Sequence, residues 1–188
     1  MLIPSRTECT ELQRQFDMPE NIRRHSLLVA EVALFLASGL NLNSLRLDLR
    51  LIEAGALLHD VGKVCGLKSG EDHAAIGAEM LDGIVAPAVS RIVGEHISLD
   101  SREVAGPVTE SLVVNYSDKR VRHDEVVSIE ERYRDLIARY AKAPQQVQLL
   151  LEKLDLYIAL ERTIFSHLPI MPNGSEIMGI TIDRIRLD

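Results

Sequence analysis

Apolar residues along much of the chain recur at the three- and four-residue spacing of an α-helix. After His25 they stand at Leu28, Val29, Val32 and Leu36, which lie on one face of a helix. Prolines, capping residues and glycines then mark where such segments begin and end. The predicted helices span about 19–39, 48–64, 71–81, 87–96, 107–118, 128–142 and 144–166.

The fold class predicted from these segments is all-α, a compact bundle of about six to eight helices with an extended C-terminal tail. A length of 188 residues suits one domain, 1–188, with a core of about 20–125, C-terminal helices at 126–168 and a tail at 169–188. Residues 66–70 and 98–106 are predicted loops. The apolar stretch 177–182 predicts either a strand that pairs with a neighbour or a packed arm.

Composition is that of a globular chain with a core of Leu, Ile, Val and Ala, because aromatic residues make up only 4% and Trp is absent. The formal net charge of −7 argues against binding to nucleic acid or to an anionic membrane. A small anionic substrate remains compatible, since a metal and nearby cations can reverse the field within one cleft. The longest apolar run, 27–40, is interrupted by polar residues and is too short to span a bilayer. We therefore expect a cytoplasmic location.

Two cysteines, Cys9 and Cys65, are too few to form a disulfide framework, which favours a reduced state. Cys65 is interpreted as a small buried apolar side chain. The charged positions Glu130, Glu131, Arg132 and Arg134 are interpreted as the solvated face of a helix.

The first chemical signal is the adjacent pair His59–Asp60 within an otherwise apolar segment. Burial of both side chains without partners is costly, and a divalent cation bound by both would remove that cost. The alternative is an imidazole–carboxylate hydrogen bond that closes a polar gap in the core.

Four more candidate ligands, His25, His73, His96 and Asp118, stand at the edges or ends of predicted helices. Each residue taken alone has a purely structural interpretation. His25 could be a histidine at the core boundary, and His73 a solvated residue in the first turn of a helix. His96 could be a cation at a helix C-terminus, and Asp118 could pair with a following cation. Taken together they favour a metal centre.

The order His25, then His59–Asp60, then Asp118 resembles the signature of the HD-domain metal-dependent phosphohydrolases. Gly62–Lys63 matches the His-Asp-x-Gly-Lys form of that signature, and the resemblance covers about residues 20–125. His73 and His96 fall where binuclear members carry two further histidines. The chain is most similar to the compact symmetrical diadenosine-tetraphosphate hydrolases, although the 128–142 helix has no match in that subgroup. The Gly-Tyr-Pro segment of cyclic-dinucleotide phosphodiesterases is absent from the sequence.

The resemblance implies a metal-dependent phosphohydrolase that cleaves an ester or anhydride of a nucleotide or dinucleotide with a metal-activated hydroxide. One cation would bind His25, His59, Asp60 and Asp118, and a second would bind His73 and His96 with Asp60 as the bridge. We expect one or two divalent metals per chain, with Fe or Mn preferred and Zn, Ni, Co or Mg as alternatives.

Asp60 and Lys63 are the predicted catalytic residues. Lys63 lies four positions after His59 and is expected on the same helix face, where it would contact substrate phosphate. Alternatively it satisfies carbonyl groups at a helix end. Lys119 and Arg122 are further candidates for substrate binding, with a solvated helix end as the other interpretation.

The sequence is also compatible with two other functions. One is a non-catalytic, metal-stabilised nucleotide-binding or protein-interaction module, and the other is a di-iron oxygenase. The amphipathic helices at 128–166 and the tail favour a protein contact, for which a homodimer is the expected form.

Overall fold

The computed structural model describes residues 1–182, and helices account for nearly all of its regular structure. The all-α prediction is therefore confirmed. The helices are α1 (Arg6–Gln15), α2 (Glu20–Leu42), α3 (Leu49–Leu58), α4 (Lys63–Ser69), α5 (His73–Leu81), α6 (Pro87–Glu95), α7 (Ser101–Ala105), α8 (Glu110–Lys119), α9 (Ile129–Tyr140), α10 (Pro144–Phe165) and α11 (Ser175–Met178). A small antiparallel hairpin pairs β1 (Val121–Arg122) with β2 (Glu125–Val126).

The central element is α2, which packs mainly against α3 and α8. Its apolar face is buried, and the continuous hydrophobic core around it extends from Cys9 of α1 to Ile177 of α11. By length and composition α2 is apolar enough to cross a membrane, but a core helix passes the same test and more than half of its apolar window is buried. The structure therefore supports a core role for α2.

The predicted helix over 48–64 is wrong in one respect, because it is two helices separated by a turn. Helix α3 ends at Leu58, residues 59–62 form turns, and α4 begins at Lys63. A Cβ on Gly62 would lie 2.3 Å from the carbonyl oxygen of His73 and 2.5 Å from the amide nitrogen of Gly77. Only glycine permits this close approach of α5, and the break turns His59 and Asp60 inward.

The predicted loop at 66–70 is also wrong, since α4 continues to Ser69 and ends at Gly70 with φ of 78°. The loop at 98–106 contains the short helix α7, whose N-terminus is closed by a reciprocal capping box between Asp100 and Glu103. Helix α1 was not predicted, although Ser5 and Glu8 form the same kind of capping box and were a signal for it in the sequence.

The apolar stretch 177–182 does not form a strand within the described residues. Ser175–Met178 is a helical turn and Ile177 is fully buried, so the packed-arm alternative describes it. The part of the predicted tail beyond Ile182 lies outside the described residues. Cys65 is exposed, so its predicted burial is wrong: the residue of α4 that packs closely on α5 is the neighbouring Gly66. Cys9 is buried, and both cysteines are free.

A buried guanidinium ties the C-terminal segments to the end of α8. Arg120 is fully buried, donates to the carbonyl oxygen of Val127 and to the Tyr116 hydroxyl at 2.7 Å each, and lies 3.4 Å from Glu161. Its other terminal nitrogen donates to Asn173 Oδ1 at 3.2 Å. Because these contacts satisfy a charge that is costly to bury, they fix α8 relative to α10 and to the chain before α11.

Candidate metal centre

The six candidate ligands predicted from the sequence meet in one buried cluster, although they come from five separate parts of the fold. His25 is supplied by α2, His59 and Asp60 by the turn after α3, His73 by the start of α5, His96 by the end of α6 and Asp118 by the last turn of α8. Two overlapping groups, His25–His59–Asp118 and His59–Asp60–His96, each bring their ligand atoms within 4.8 Å of one another.

Asp118 forms one half of the cluster. Its Oδ1 lies 3.0 Å from His25 Nε2 and 3.6 Å from His59 Nε2. The two imidazole rings therefore present their Nε2 atoms to the same carboxylate oxygen.

Asp60 joins this half to the other one. Its Oδ2 lies 3.5 Å from His59 Nε2, whereas its Oδ1 lies 3.3 Å from His73 Nε2 and 3.7 Å from His96 Nε2. The two oxygens of one carboxylate thus face different pairs of ligands, which is the arrangement that a bridging carboxylate requires.

Backbone carbonyl groups orient three of the four rings. His25 Nδ1 donates to His123 O at 3.1 Å, His59 Nδ1 to Ala56 O at 2.7 Å and His96 Nδ1 to Val93 O at 2.6 Å. Because a carbonyl oxygen only accepts, each Nδ1 carries the proton and each Nε2 is directed to the centre. Metal-binding histidines are commonly oriented in this way.

The cluster leaves buried polar atoms without hydrogen bonds. His59 is 0% exposed and Asp60 is 2% exposed, yet His59 Nε2 and Asp60 Oδ1 have no hydrogen-bond partner among the described residues. Unsatisfied buried polar groups are rare and unfavourable. Imidazole nitrogens and carboxylate oxygens suit divalent transition metals, so the donor set fits a cation that would satisfy both atoms.

The protonation states of the acidic ligands are those that a metal requires. Burial opposes ionisation of Asp60, but the His59 charge and the nearby imidazoles of His73 and His96 hold its pKa well below the usual range. For Asp118, burial is likewise outweighed by the Lys119 charge, by the hydrogen bond with His25 and by the nearby charge of His59, so its pKa is also well below the usual range. Both carboxylates are therefore ionised at neutral pH.

The two most deeply buried histidines, His59 and His96, differ in pKa. Burial lowers the pKa of His96, which keeps it neutral, whereas the Asp60 and Asp118 carboxylates outweigh burial at His59 and raise its pKa to about 9. At neutral pH His59 therefore carries a proton between the two carboxylates, and a cation held by these side chains would take the place of that proton.

The three predicted substrate-binding cations lie in different surroundings. Lys63 opens α4, so the expectation that it shares a helix face with His59 is wrong, but its Nζ still lies 2.6 Å from Asp60 Oδ2. The Lys119 ammonium pairs with Asp118, and Arg122 pairs with Glu125 at 3.2 Å on the hairpin. Of the three, the structure brings only Lys63 to the lining of the cleft beside the cluster.

This cleft is a cavity of about 290 Å³ that opens from His25 and Asp60 toward α9. Arg132 and Arg139 line its α9 side, so the interpretation of Arg132 as part of a solvated face is wrong. The sequence contained a signal for this, since Arg132, Asp135 and Arg139 recur at the three- and four-residue spacing of one helix face.

The fold is an all-α bundle in which three buried histidines, one half-buried histidine and two buried aspartates surround one centre beside an open cleft, which defines a helical protein with a candidate metal centre. A family model described as "HD domain" matches residues 22–159, which include all six cluster residues. The chain belongs to the HD domain family.

Individual relatives cover the chain only in part. A tRNA (cytidine(56)-2'-O)-methyltransferase from Picrophilus torridus is 31% identical over 135 residues, which is 68% of this chain and 38% of that protein. An uncharacterized protein from Methanocaldococcus jannaschii is 31% identical over 110 residues, 55% of this chain and 64% of that protein. Ribonuclease Y from Treponema denticola is 33% identical over 100 residues, 53% of this chain and 18% of that protein. The chain thus spans less than two thirds of the length of these relatives. No solved structure gives a significant match.

Proposed function

We propose that this protein is a metal-dependent phosphohydrolase that cleaves a phosphate ester or anhydride. The observation that carries the proposal is the buried pair of unsatisfied atoms, His59 Nε2 and Asp60 Oδ1, beside a cleft that also presents Lys63. Membership of the HD domain family supports the same activity.

The residues that would hold the metals follow from the two sides of Asp60. One cation would be held by His25, His59, Asp118 and the Oδ2 side of Asp60. A second would be held by His73, His96 and the Oδ1 side of Asp60. Bound cations would supply Lewis-acid activation of water and of the phosphoryl group.

The protein's own residues would bind and orient the substrate. Lys63 would place a positive charge on a non-bridging phosphate oxygen, once a cation replaces it as the partner of Asp60. Hydrolysis consumes one water: a bond forms from the water oxygen to phosphorus and the bond from phosphorus to the leaving oxygen breaks. The water's two protons end on the leaving group and the released phosphate, according to their pKa values.

Two finer assignments are proposals that rest on the sequence resemblance: a nucleotide or dinucleotide substrate, and iron or manganese as the metal. A cytoplasmic location and a homodimer are also proposals, and they rest on the apolar pattern of the sequence and on the amphipathic helices at 128–166. His73 and His96, which complete a binuclear ligand set, support the likeness to the diadenosine-tetraphosphate hydrolases. The net charge of −7 supports the expectation that neither nucleic acid nor a membrane is a general partner.

The test begins with metal content by mass spectrometry on protein purified without oxygen. Hydrolysis of p-nitrophenyl phosphate and bis(p-nitrophenyl) phosphate is then measured with manganese. We expect one or two equivalents of transition metal and turnover that Asp60→Asn abolishes. His167→Ala is the matched control, because His167 is an exposed histidine outside the cluster. Bound metal without turnover of any phosphate substrate would favour the non-catalytic module instead.

A further inference from the structure

We propose that Arg132, Arg139 and Tyr140 of α9 form a second subsite, which binds the part of the substrate beyond the scissile phosphate. The ligand chemistry that fits is a nucleotide with at least two linked phosphates. The inference rests on the proposed function, because it assumes that one phosphate lies at the candidate metal centre.

The first support is continuity of the cavity. One cavity of about 290 Å³ is lined at one end by Asp60 and Lys63 and on the α9 side by Arg132, Arg139 and Tyr140. Small-molecule sites usually have volumes of about 300–1,000 Å³, so this cavity lies at the lower limit of that range and suits a small ligand with linked phosphates. A single ligand can therefore contact both ends.

The second support is local charge. The whole chain carries 28 acidic and 21 basic residues, yet the cavity lining has four cations, Arg24, Lys63, Arg132 and Arg139, against the acids Asp60 and Asp124. Arg24 is already paired with Asp124 at 3.1 Å. A metal that takes Asp60 would leave Lys63 unpaired, and Asp135 can neutralise only one of the two α9 arginines, so the cavity keeps an excess of positive charge that suits an anion.

The third support is the way in which the two arginines are held. Arg132 Nη1 lies 3.4 Å from Asp135 Oδ2, and Arg139 pairs with the same oxygen from one turn further along α9. One carboxylate thus positions two guanidinium groups and leaves a net positive charge. The Arg132 side chain is only 15% exposed, so packing as well as Asp135 holds it on the cavity wall. A phosphate oxygen is the kind of acceptor that guanidinium groups on such a wall bind.

Tyr140 supplies a contact of a different kind at the cavity edge. It is 61% exposed, and the Arg139 guanidinium lies 5.4 Å from its ring centroid. An exposed aromatic ring beside a cationic site offers a stacking surface for a nucleobase. This contact distinguishes a nucleotide from inorganic pyrophosphate.

An arginine–carboxylate ion pair on α1 provides a solvated comparison for the α9 arginines. Arg14 pairs with Glu11 at 3.4 Å on α1, its side chain is 61% exposed, and it lines none of the cavity beside the cluster. Arg14→Gln is therefore the matched control for changes in α9.

The test is isothermal titration calorimetry of the manganese-loaded 188-residue chain with α,β-methylene-ADP, a probe that resists hydrolysis between its two phosphates. We expect Arg132→Gln and Arg139→Gln each to weaken binding at least tenfold, while binding of inorganic phosphate, which needs only the metal end, changes less than twofold. Arg139→Lys should lie between the wild type and Arg139→Gln. Tyr140→Ala should weaken binding of the ADP analogue but leave binding of pyrophosphate unchanged. Thermal melts check that each variant is folded.

Wild-type affinity for α,β-methylene-ADP in both arginine variants would overturn the subsite. The subsite would also be overturned if the arginine variants lost affinity for inorganic phosphate and for the ADP analogue to the same extent. That result would mean that the arginines act on the phosphate at the metal end of the cavity. A wild-type protein that binds the analogue through these arginines but hydrolyses no phosphate compound would contradict the proposed function and leave the subsite intact.

Discussion

Lys63 Nζ lies 2.6 Å from Asp60 Oδ2, so the lysine occupies the carboxylate oxygen that faces His59. Lys63 opens α4 and Asp60 lies in the turn before it, which means that the break between α3 and α4 creates this contact. A cation bound by Asp60 would compete with Lys63 for that oxygen. The freed ammonium group remains on the cavity wall, where a phosphate would replace the lost partner.

Lys63→Met should separate catalysis from metal binding. We expect kcat for p-nitrophenyl phosphate to fall by about 10²–10³, the usual cost of removing one donor to a developing charge. Metal content should stay at the wild-type value or rise, because a competitor for Asp60 has been removed. Lys68→Met, a change at an exposed position of the same helix, is the control. Loss of metal in Lys63→Met would contradict this role and make the lysine a structural partner of the centre.

Asp60→Asn should abolish the stabilisation of the fold by added manganese. A ligand at 100 times its Kd stabilises a folded protein by about 2.7 kcal/mol. For a chain of this length, that free energy raises Tm by about 5–11 °C. We expect this rise for the wild type and for His167→Ala, and little or none for Asp60→Asn, measured by differential scanning fluorimetry after chelation. A full manganese-dependent rise in Asp60→Asn would show that the cluster does not bind the metal through this carboxylate.

Much of the site was predictable because its signals are local in sequence. The adjacency of His59 and Asp60 and the positions of His25 and Asp118 at helix edges required no knowledge of long-range packing. The break after Leu58 was missed because periodicity continues through it, and only the approach of α5 to Gly62 explains it. The role of Arg132 was missed because a charged helix face looks solvated until the element that it covers is known.

Gly62→Ala should disturb both the fold and the His73 side of the centre. The added Cβ would lie 2.3 Å from the His73 carbonyl oxygen, so α5 must move. We expect a loss of about 3 kcal/mol in the free energy of unfolding, at the upper end of overpacking costs. Urea unfolding measures that loss, and metal analysis should show a lower content per chain.

Gly94→Ala is the control for this glycine change. Its Cβ would meet only Ala78 Cβ at 3.4 Å, an ordinary contact, within helix α6. Alanine favours a helix over glycine by about 0.8–1.0 kcal/mol, so the variant should be neutral or more stable. Equal unfolding free energies for Gly62→Ala and the wild type would mean that the close approach of α5 is not required.

Arg120→Met should destabilise the protein strongly and in a pH-dependent way. Removal of one partner from a buried ion pair costs about 3–5 kcal/mol at neutral pH, because Glu161 is left as an uncompensated buried charge. Burial already raises the pKa of Glu161, against the opposing effects of Tyr116 and Arg120, and loss of Arg120 raises that pKa further. An acid with a raised pKa in the folded state binds a proton more readily when folded. The deficit in unfolding free energy of the variant is therefore largest above that pKa and shrinks as the pH falls through it.

Urea unfolding from pH 8 to pH 5 measures this difference in unfolding free energy between wild type and Arg120→Met. In Arg120→Met/Glu161→Gln the carboxylate is gone, so the pH dependence of the deficit should disappear. A deficit that stays constant with pH in the single variant would assign the loss to the severed hydrogen bonds of Arg120 with Val127 and Asn173 and not to the stranded charge.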